Sequence, residues 1–507
     1  MLTHVCQTWR EVVLASPKSL HLRLFCKHGT SLSKAQDCWP SLPIVVHYGG
    51  PSLGAPAPED EDDIVAALKH YDRVSSITLT LTSSLLEKFS AIEEPFSELE
   101  ELVLLSKNTV QLALPSSFRW GSRLRTLHTT GIAFPSFPQL LLPSINLVEI
   151  QLQEIPGFGY FSPETFANAL SGMTRLQKLL LDFLSLPPHN DDLGLPPLPE
   201  ERVGLPALIH LRYQGTSKFL DCLVARIDAP SLRDIGVTFS RQPIMDVSQL
   251  RRFVDRIEVQ RVHTRANITT SPFSVSISFT QLGYPALFKL QILCSHRDGQ
   301  LSSVAQICNQ FSPSLFRVKN LHVKGARPLR QHAQYDNNTW LEVIRAFGGM
   351  EELGVSGRCA TDIFSALRSA DGEHTDILPA LRELLVPEIE SPSGPLWEAA
   401  KSFIMSRWSS HHSLRSATFP ALCGNEALLK RYFCAFCDVG FLQRAAFDQH
   451  RCGDLIACSY CGDFKWPAGH KDLFRKHLEN KHVEVRCPRP RQLAKPPAPG
   501  RTSRRHR

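Results

Sequence analysis

A short apolar beat recurs thirteen times between residues 74 and 417. The beat is an apolar residue, two positions, an apolar residue, one position, an apolar residue. It reads Val74–Ile77–Leu79, Leu99–Leu102–Leu104, Leu147–Ile150–Leu152, Leu176–Leu179–Leu181, Leu208–Leu211–Tyr213, Leu232–Ile235–Val237, Val254–Ile257–Val259 and Leu287–Leu290–Ile292. It continues as Val318–Leu321–Val323, Met350–Leu353–Val355 and Leu381–Leu384–Val386, with weaker copies at Leu124–Leu127 and Leu414–Ala417. The starts lie 22 to 33 residues apart. The last two apolar positions of each beat share one face of a strand, because side chains alternate with period two. A unit this short cannot bury that face alone, so the units must stack side by side.

Segments between the beats read as helices. Asp63 precedes IVAALKHYDRV, with acids at 59–62 just before it, where the helix dipole favours negative charge. Ser162-Pro163 precedes ETFANALSGM, with Pro at the first helical position. Asn338 precedes TWLEVIRAFGG, which ends in Gly348-Gly349 as a C-cap would. Strand, helix or loop, then strand again after about 28 residues is the leucine-rich-repeat pattern. The Asn or Cys that usually follows the strand is mostly absent, so the repeats are irregular. The expected fold class is therefore α/β, an LRR-like solenoid of short strands and helices over 60–420. Pro-rich stretches at 187–206 and 387–395 read as insertions.

Leu2, Val5, Cys6, Trp9, Val12 and Val13 fall on one face of a helix that Ser16-Pro17 ends. The segment LTHVCQTWREVVLASPK resembles the second half of an F-box, closest to fungal F-box proteins that continue into irregular leucine-rich repeats. Val5, Cys6, Trp9 and Arg10 match the family motif. The resemblance implies a partial F-box over 1–30, docking on the Skp adaptor of a cullin-based ubiquitin ligase, and repeats that hold a protein substrate. The Leu-Pro-containing first helices of that motif have no counterpart here, and Leu20 stands where a Trp is common. The reading frame is therefore expected to continue upstream, and 1–507 to bind the adaptor weakly or not at all.

Residues 430–485 read as a small ββα zinc-finger module. Cys434-x2-Cys437-x12-His450 has finger spacing, with Phe441 and Phe447 at the two core positions. Cys452 is the available fourth ligand. A second set follows as Cys458-x2-Cys461-x15-His477-x4-His482, with Phe474 three before His477 and Cys487 as a spare ligand. Two structural Zn2+ ions are expected, since each site has four protein ligands and no open position for water. A cross-braced pair using the same eight ligands is the other arrangement the spacing permits. Base-facing positions would be Gln443, Ala446 and Gln449 in the first finger, and His470, Leu473 and Lys476 in the second.

Charge is concentrated at one end. Residues 486–507 carry eight cations and no acid, against a net charge of +7 for the whole chain. The body is thus near neutral, and a disordered basic tail is expected to give weak, salt-sensitive nucleic-acid binding. Charged residues at 21% and apolar residues at 43% exclude a mostly disordered chain. No run of 18 apolar residues indicates a membrane span, and no signal peptide is visible. Fourteen Cys then suggest thiols or metal sites in the nucleus or cytoplasm rather than a disulfide framework. No nucleophile elbow, P-loop, dinucleotide fingerprint or HExxH is present, so no enzyme is expected. The expected function is a substrate-recruiting scaffold with a structural zinc module. The other reading is a zinc-finger nucleic-acid-binding regulator.

Overall fold

A computed structural model describes residues 6–15, 23–28, 42–49, 56–92, 94–106, 112–115, 118–134, 137–184, 201–240, 246–257, 264–271, 273–280, 288–293, 298–325, 337–369, 377–389, 394–409, 414, 416–419, 432–433, 440–441 and 484–486. Contacts divide the chain into two units, Met1–Gly349 and Met350–Arg507, and the division falls inside the stretch 60–420.

The first unit is built on one sheet. Its strands are β1 (Leu24–Lys27), β2 (Ile44–Tyr48), β3 (Val74–Leu81), β4 (Glu101–Ser106), β5 (Thr126–Thr130), β6 (Glu149–Ile155), β7 (Lys178–Phe183), β8 (His210–Gly215) and β9 (Asp234–Ser240). Each pairs in parallel with the next. The beats set the register: Ile77 lies beside Leu102, then Leu127, Ile150, Leu179, Leu211 and Ile235. The row begins earlier than the beats, at Cys26 and Val46. Every one of these side chains is buried. A second ladder ties the strand entrances together. Each entrance amide donates to the preceding repeat's carbonyl, Arg125 to Glu100, Val148 to Arg125, Gln177 to Val148, Ile209 to Gln177 and Arg233 to Ile209.

The order then inverts. Strands β10 (Arg265–Thr270), β11 (Ser274–Thr280) and β12 (Phe288–Leu293) form an antiparallel meander, and β13 (Asn320–Gly325) follows. It is the last strand of the meander, β12, that pairs with β9, while the first, β10, pairs with β13, both in parallel. The buried row survives the inversion, running Ile235, Phe288, Phe279, Ala266, Leu321. Two expected beats differ accordingly. Val254 and Ile257 lie in and just after a helix, because Leu250, Phe253, Val254 and Ile257 recur at i, i+3, i+4 and i+7, the period of a helical face. Leu290 pairs with Val237, two residues out of the beat's register, which would have placed it beside Ile235.

Helices cover the face that carries the beats. They are α2 (Pro58–Leu68), α3 (Ser83–Ser90), α4 (Phe137–Leu141), α5 (Pro163–Leu170), α6 (Ser217–Arg226), α7 (Ser248–Arg256), α8 (Asp298–Leu315) and α9 (Asn337–Arg345), while α1 (Gln7–Ala15) precedes the sheet and is exposed. From α4 to α9 each packs on the next. The Ser162 hydroxyl caps α5 by accepting from the Thr165 amide at 3.2 Å, as the sequence predicts. Helix α2 starts before the acids rather than after Asp63. Asp60 lies inside its first turn and accepts from the Ala57 amide at 3.2 Å. Under the helices runs an aromatic chain. Phe137, Phe161, Phe183, Phe219 and Tyr213 touch ring to ring across successive repeats.

In the second unit, β14 (Glu352–Gly357), β15 (Glu383–Leu385) and β16 (Ser416–Thr418) continue the beat pattern in parallel, with Leu353, Leu384 and Ala417 in one row. Helices α10 (Cys359–Ser369) and α11 (Pro395–Ser409) pack together. Two short strands, β17 (Tyr432–Phe433) and β18 (Gly440–Phe441), form an antiparallel pair. β19 (Glu484–Arg486) lies parallel to β16 and antiparallel to β17.

Candidate functional site: the open face of the first sheet

The strand positions between the beats point away from the helices. Polar and charged side chains occupy most of them, because this face meets water. The row nearest the strand entrances reads Glu101, Thr126, Glu149, Lys178, His210, Asp234. Its charges pair across strands. The Lys178 ammonium lies 2.8 Å from Glu149 Oε1. Partial burial opposes the Glu149 charge, but Lys178 and the Gln151 amide outweigh it and hold the carboxyl below its ordinary range. Asp234 Oδ2 receives His210 Nδ1 at 3.4 Å and Arg212 Nη2 at 3.6 Å.

The next row reads Val103, His128, Gln151, Leu180, Arg212, Gly236, Lys289, Ser278, Asn267, His322. Around its centre lies an open groove of ≈ 780 Å³ that reaches from Gln153 to Gln291. Three cations line it, Arg212, Arg233 and Lys289, against the acids Asp182 and Asp234. Lys289 is exposed and pairs with no acid among the described residues. Asp182 sits where β6 bulges. Glu154 there has φ 53°, a left-handed conformation, and its amide donates to the Asp182 carboxylate. Among the described residues Asp182 Oδ1 is buried with no hydrogen-bond partner, and burial pushes this carboxyl above its ordinary range.

Sequence reasoning did not single out these groove residues. Polar residues between the beats are what any half-buried strand shows, so only the stacking of β7, β8, β9 and β12 reveals that the cations converge.

The predicted site residues fall elsewhere. Helix α1 contains Trp9 and Arg10, and Cys6 immediately precedes it. Trp9 is 45% exposed and Val12 52%. The Cys6 sulfur accepts from the Trp9 amide at 3.3 Å. Val5 lies outside the described residues, as do Cys434, Cys437, His450, Cys452, Cys458, Cys461, His477 and His482. Among the described residues no group of His, Cys, Asp and Glu could hold a metal ion.

The five described cysteines are unbridged. Burial raises the Cys26 and Cys222 thiols and pushes Cys308 up to about 12, the opposite of an activated nucleophile. Among the described residues no helix is long and apolar enough to cross a membrane.

No family model matches the chain, and no curated protein matches it. Among solved structures it is similar to the leucine-rich repeat-containing protein LegL7 from Legionella pneumophila, with a TM-score of 0.26 and 12% identity over 69% of this chain and 95% of that one.

Proposed function

We propose that this protein is an LRR-like scaffold that holds a protein partner on the open face of its first sheet. One observation carries the reading. Helices seal one face of a long ladder of strands, while the other presents a polar surface with a groove. Such a face offers a partner many side chains on rigid strands. In the same proposal α1 is the remnant of an F-box helix. It presents Trp9 and Val12 to a helical adaptor of the Skp class, as part of a cullin-based ubiquitin ligase. Buried aromatic anchors of this kind dominate interface energies.

The C-terminal module completes the reading. β17 and β18 pair antiparallel with Tyr432 opposite Phe441, and Cys434 and Cys437 lie between these two strands in the sequence. An antiparallel strand pair on either side of a CxxC is what the first half of a ββα finger requires. Two structural zinc ions, held by Cys434, Cys437, His450 and Cys452 and by Cys458, Cys461, His477 and His482, would cross-link a segment with few apolar residues.

The test places a photo-crosslinking residue in the full chain at Gln151 or Asn267 on the open face, or at Lys218 on α6. Partner adducts are expected from the first two positions and not the third. Equal adducts from all three would reject the docking face. Trp9→Ala should abolish whatever adaptor binding the chain has, and adaptor binding untouched by it would reject that role for α1. Elemental analysis should find two zinc ions per chain, and none would reject the module. DNA binding lost on Gln443→Ala or Gln449→Ala, but kept on deletion of 486–507, would favour the nucleic-acid reading instead.

A further inference from the structure

The groove contains a gap. Arg212, Gly236 and Lys289 are cross-strand neighbours in one row of the open face, on β8, β9 and β12. Neighbouring strands lie ~4.8 Å apart, so the two cations flank the glycine with backbones roughly 10 Å from each other. Gly236 supplies no side chain between them. A Cβ there would meet only the Arg212 side chain, Cγ at 3.4 Å, Cδ at 3.9 Å and Nε at 4.0 Å. The Arg212 stem therefore forms one wall of a slot that stays open toward Lys289.

Charge at this slot is unbalanced. Arg212 shares Asp234 with His210, and its fork keeps further donors free. Arg233, exposed, lines the same groove and pairs with no acid among the described residues, and neither does Lys289. We propose that this slot seats a side-chain carboxylate of an acidic segment of a protein partner, between Arg212 and Lys289 and over Gly236. The proposal rests on the open face being a docking surface and names what it prefers.

The surroundings favour a protein acid over a nucleic acid. The next row reads Asp182, Gln214, Thr238 and Gln291, and its three uncharged side chains can hydrogen-bond a polypeptide. Among the residues lining the groove, the one Phe, Tyr or Trp is Tyr213, which is buried and offers no stacking platform.

The test uses the full chain and a fluorescein-labelled peptide of alternating Glu and Ser, with a Gln/Ser peptide as its neutral twin. The Glu/Ser peptide should bind saturably, and the Gln/Ser peptide about tenfold or more weaker, as loss of a charge-assisted contact implies. Lys289→Glu should weaken Glu/Ser binding by about tenfold or more. Gly236→Leu, which fills the gap and leaves every charge in place, should do the same. Lys289 is exposed, so its variant tests the slot even if Gly236→Leu fails to fold. Affinity unchanged by Lys289→Glu would put the peptide on another basic surface, such as the tail, and overturn the proposal. No saturable binding of the Glu/Ser peptide would overturn it too. The crosslinking experiment keeps the two readings apart. Adducts from Gln151 or Asn267 with no effect at the slot reject the slot alone, and absence of adducts rejects the docking face.

Discussion

The strands from β3 to β9 and the strands from β10 to β13 bury the same continuous rows of apolar side chains, yet they are wired differently. In the first stretch each beat in the sequence becomes the next strand in space, always parallel. In the second, three antiparallel strands fill the interval between β9 and β13 in reversed order. The difference shows that the packed row, rather than the direction of the chain, is what this sheet requires. Val275, Ile277 and Phe279 run backwards and still align their side chains with those of β12. A parallel ladder obliges each strand to bring a crossover with it, whereas a hairpin adds two strands with short connections.

The most severe test of that equivalence is truncation in each region. Leu179→Ala in β7 and Ile277→Ala in β11 both remove a buried side chain from the middle of a row. Each is expected to cost about 2–5 kcal/mol, read as a fall in the urea midpoint. A cost of under about 1 kcal/mol at Ile277 alone would mean that the meander is a loosely attached insert.

A second test falls on the junction between the two regions. Asp221 in α6 is buried and accepts from the Leu250 amide at 2.8 Å, capping α7 from the neighbouring helix. Burial is the main cause that raises its carboxyl to about 6, with Asp246 adding to it and the α7 amides opposing. The folded state therefore holds this proton more tightly than the unfolded chain does. Its contribution is full below about pH 4 and is lost as pH rises through about 6. Asp221→Asn keeps a capping oxygen without the charge. The variant should gain on the order of 1–3 kcal/mol at pH 7 and lose the slope between about pH 4 and 6 in denaturation experiments. A destabilised variant would mean that the ionised cap is worth more than its burial costs.

A smaller effect is expected inside the regular region. Glu154 holds a left-handed conformation at the β6 bulge. Glu154→Gly relieves that strain but frees the unfolded chain, so thermal unfolding should show a net gain of about 0–1 kcal/mol. The smallest effect is at α1, outside both regions. Trp9→Ala should change stability by less than about 0.5 kcal/mol, because the ring is already nearly half exposed.

The same contrast explains what could be read from the amino acids. Where a leucine or isoleucine marks every beat, as in Leu176–Leu179–Leu181, strand, face and register were all legible. The first two strands of the meander were not, because RANITT and SVSISFT alternate with small or polar residues and lack the leading apolar position. Strands β1 and β2 were missed as repeats for the same reason. The Val254–Ile257 pair satisfied both a beat and a helical period, and the helix won because Leu250 and Phe253 extend the helical face. The groove could not be read at all. HLRYQG, DIGVTFS and FKLQIL each look ordinary, and the juxtaposition of Arg212, Gly236 and Lys289 exists only across strands.

The inverted order at β10–β12 has a consequence in time. A chain emerging from the ribosome can zip β3 to β9 together one strand after another, because each partner was made about 25 residues earlier. At β9 the zipper stops, since the strand that belongs beside it is encoded by residues 288–293. Roughly 50 residues must be synthesised first, which at about 5–20 residues per second is an interval of several seconds. During it the edge of β9 is unpaired, exposing Val237 and Phe239 and a row of free backbone groups, the conditions under which nascent chains aggregate or recruit chaperones.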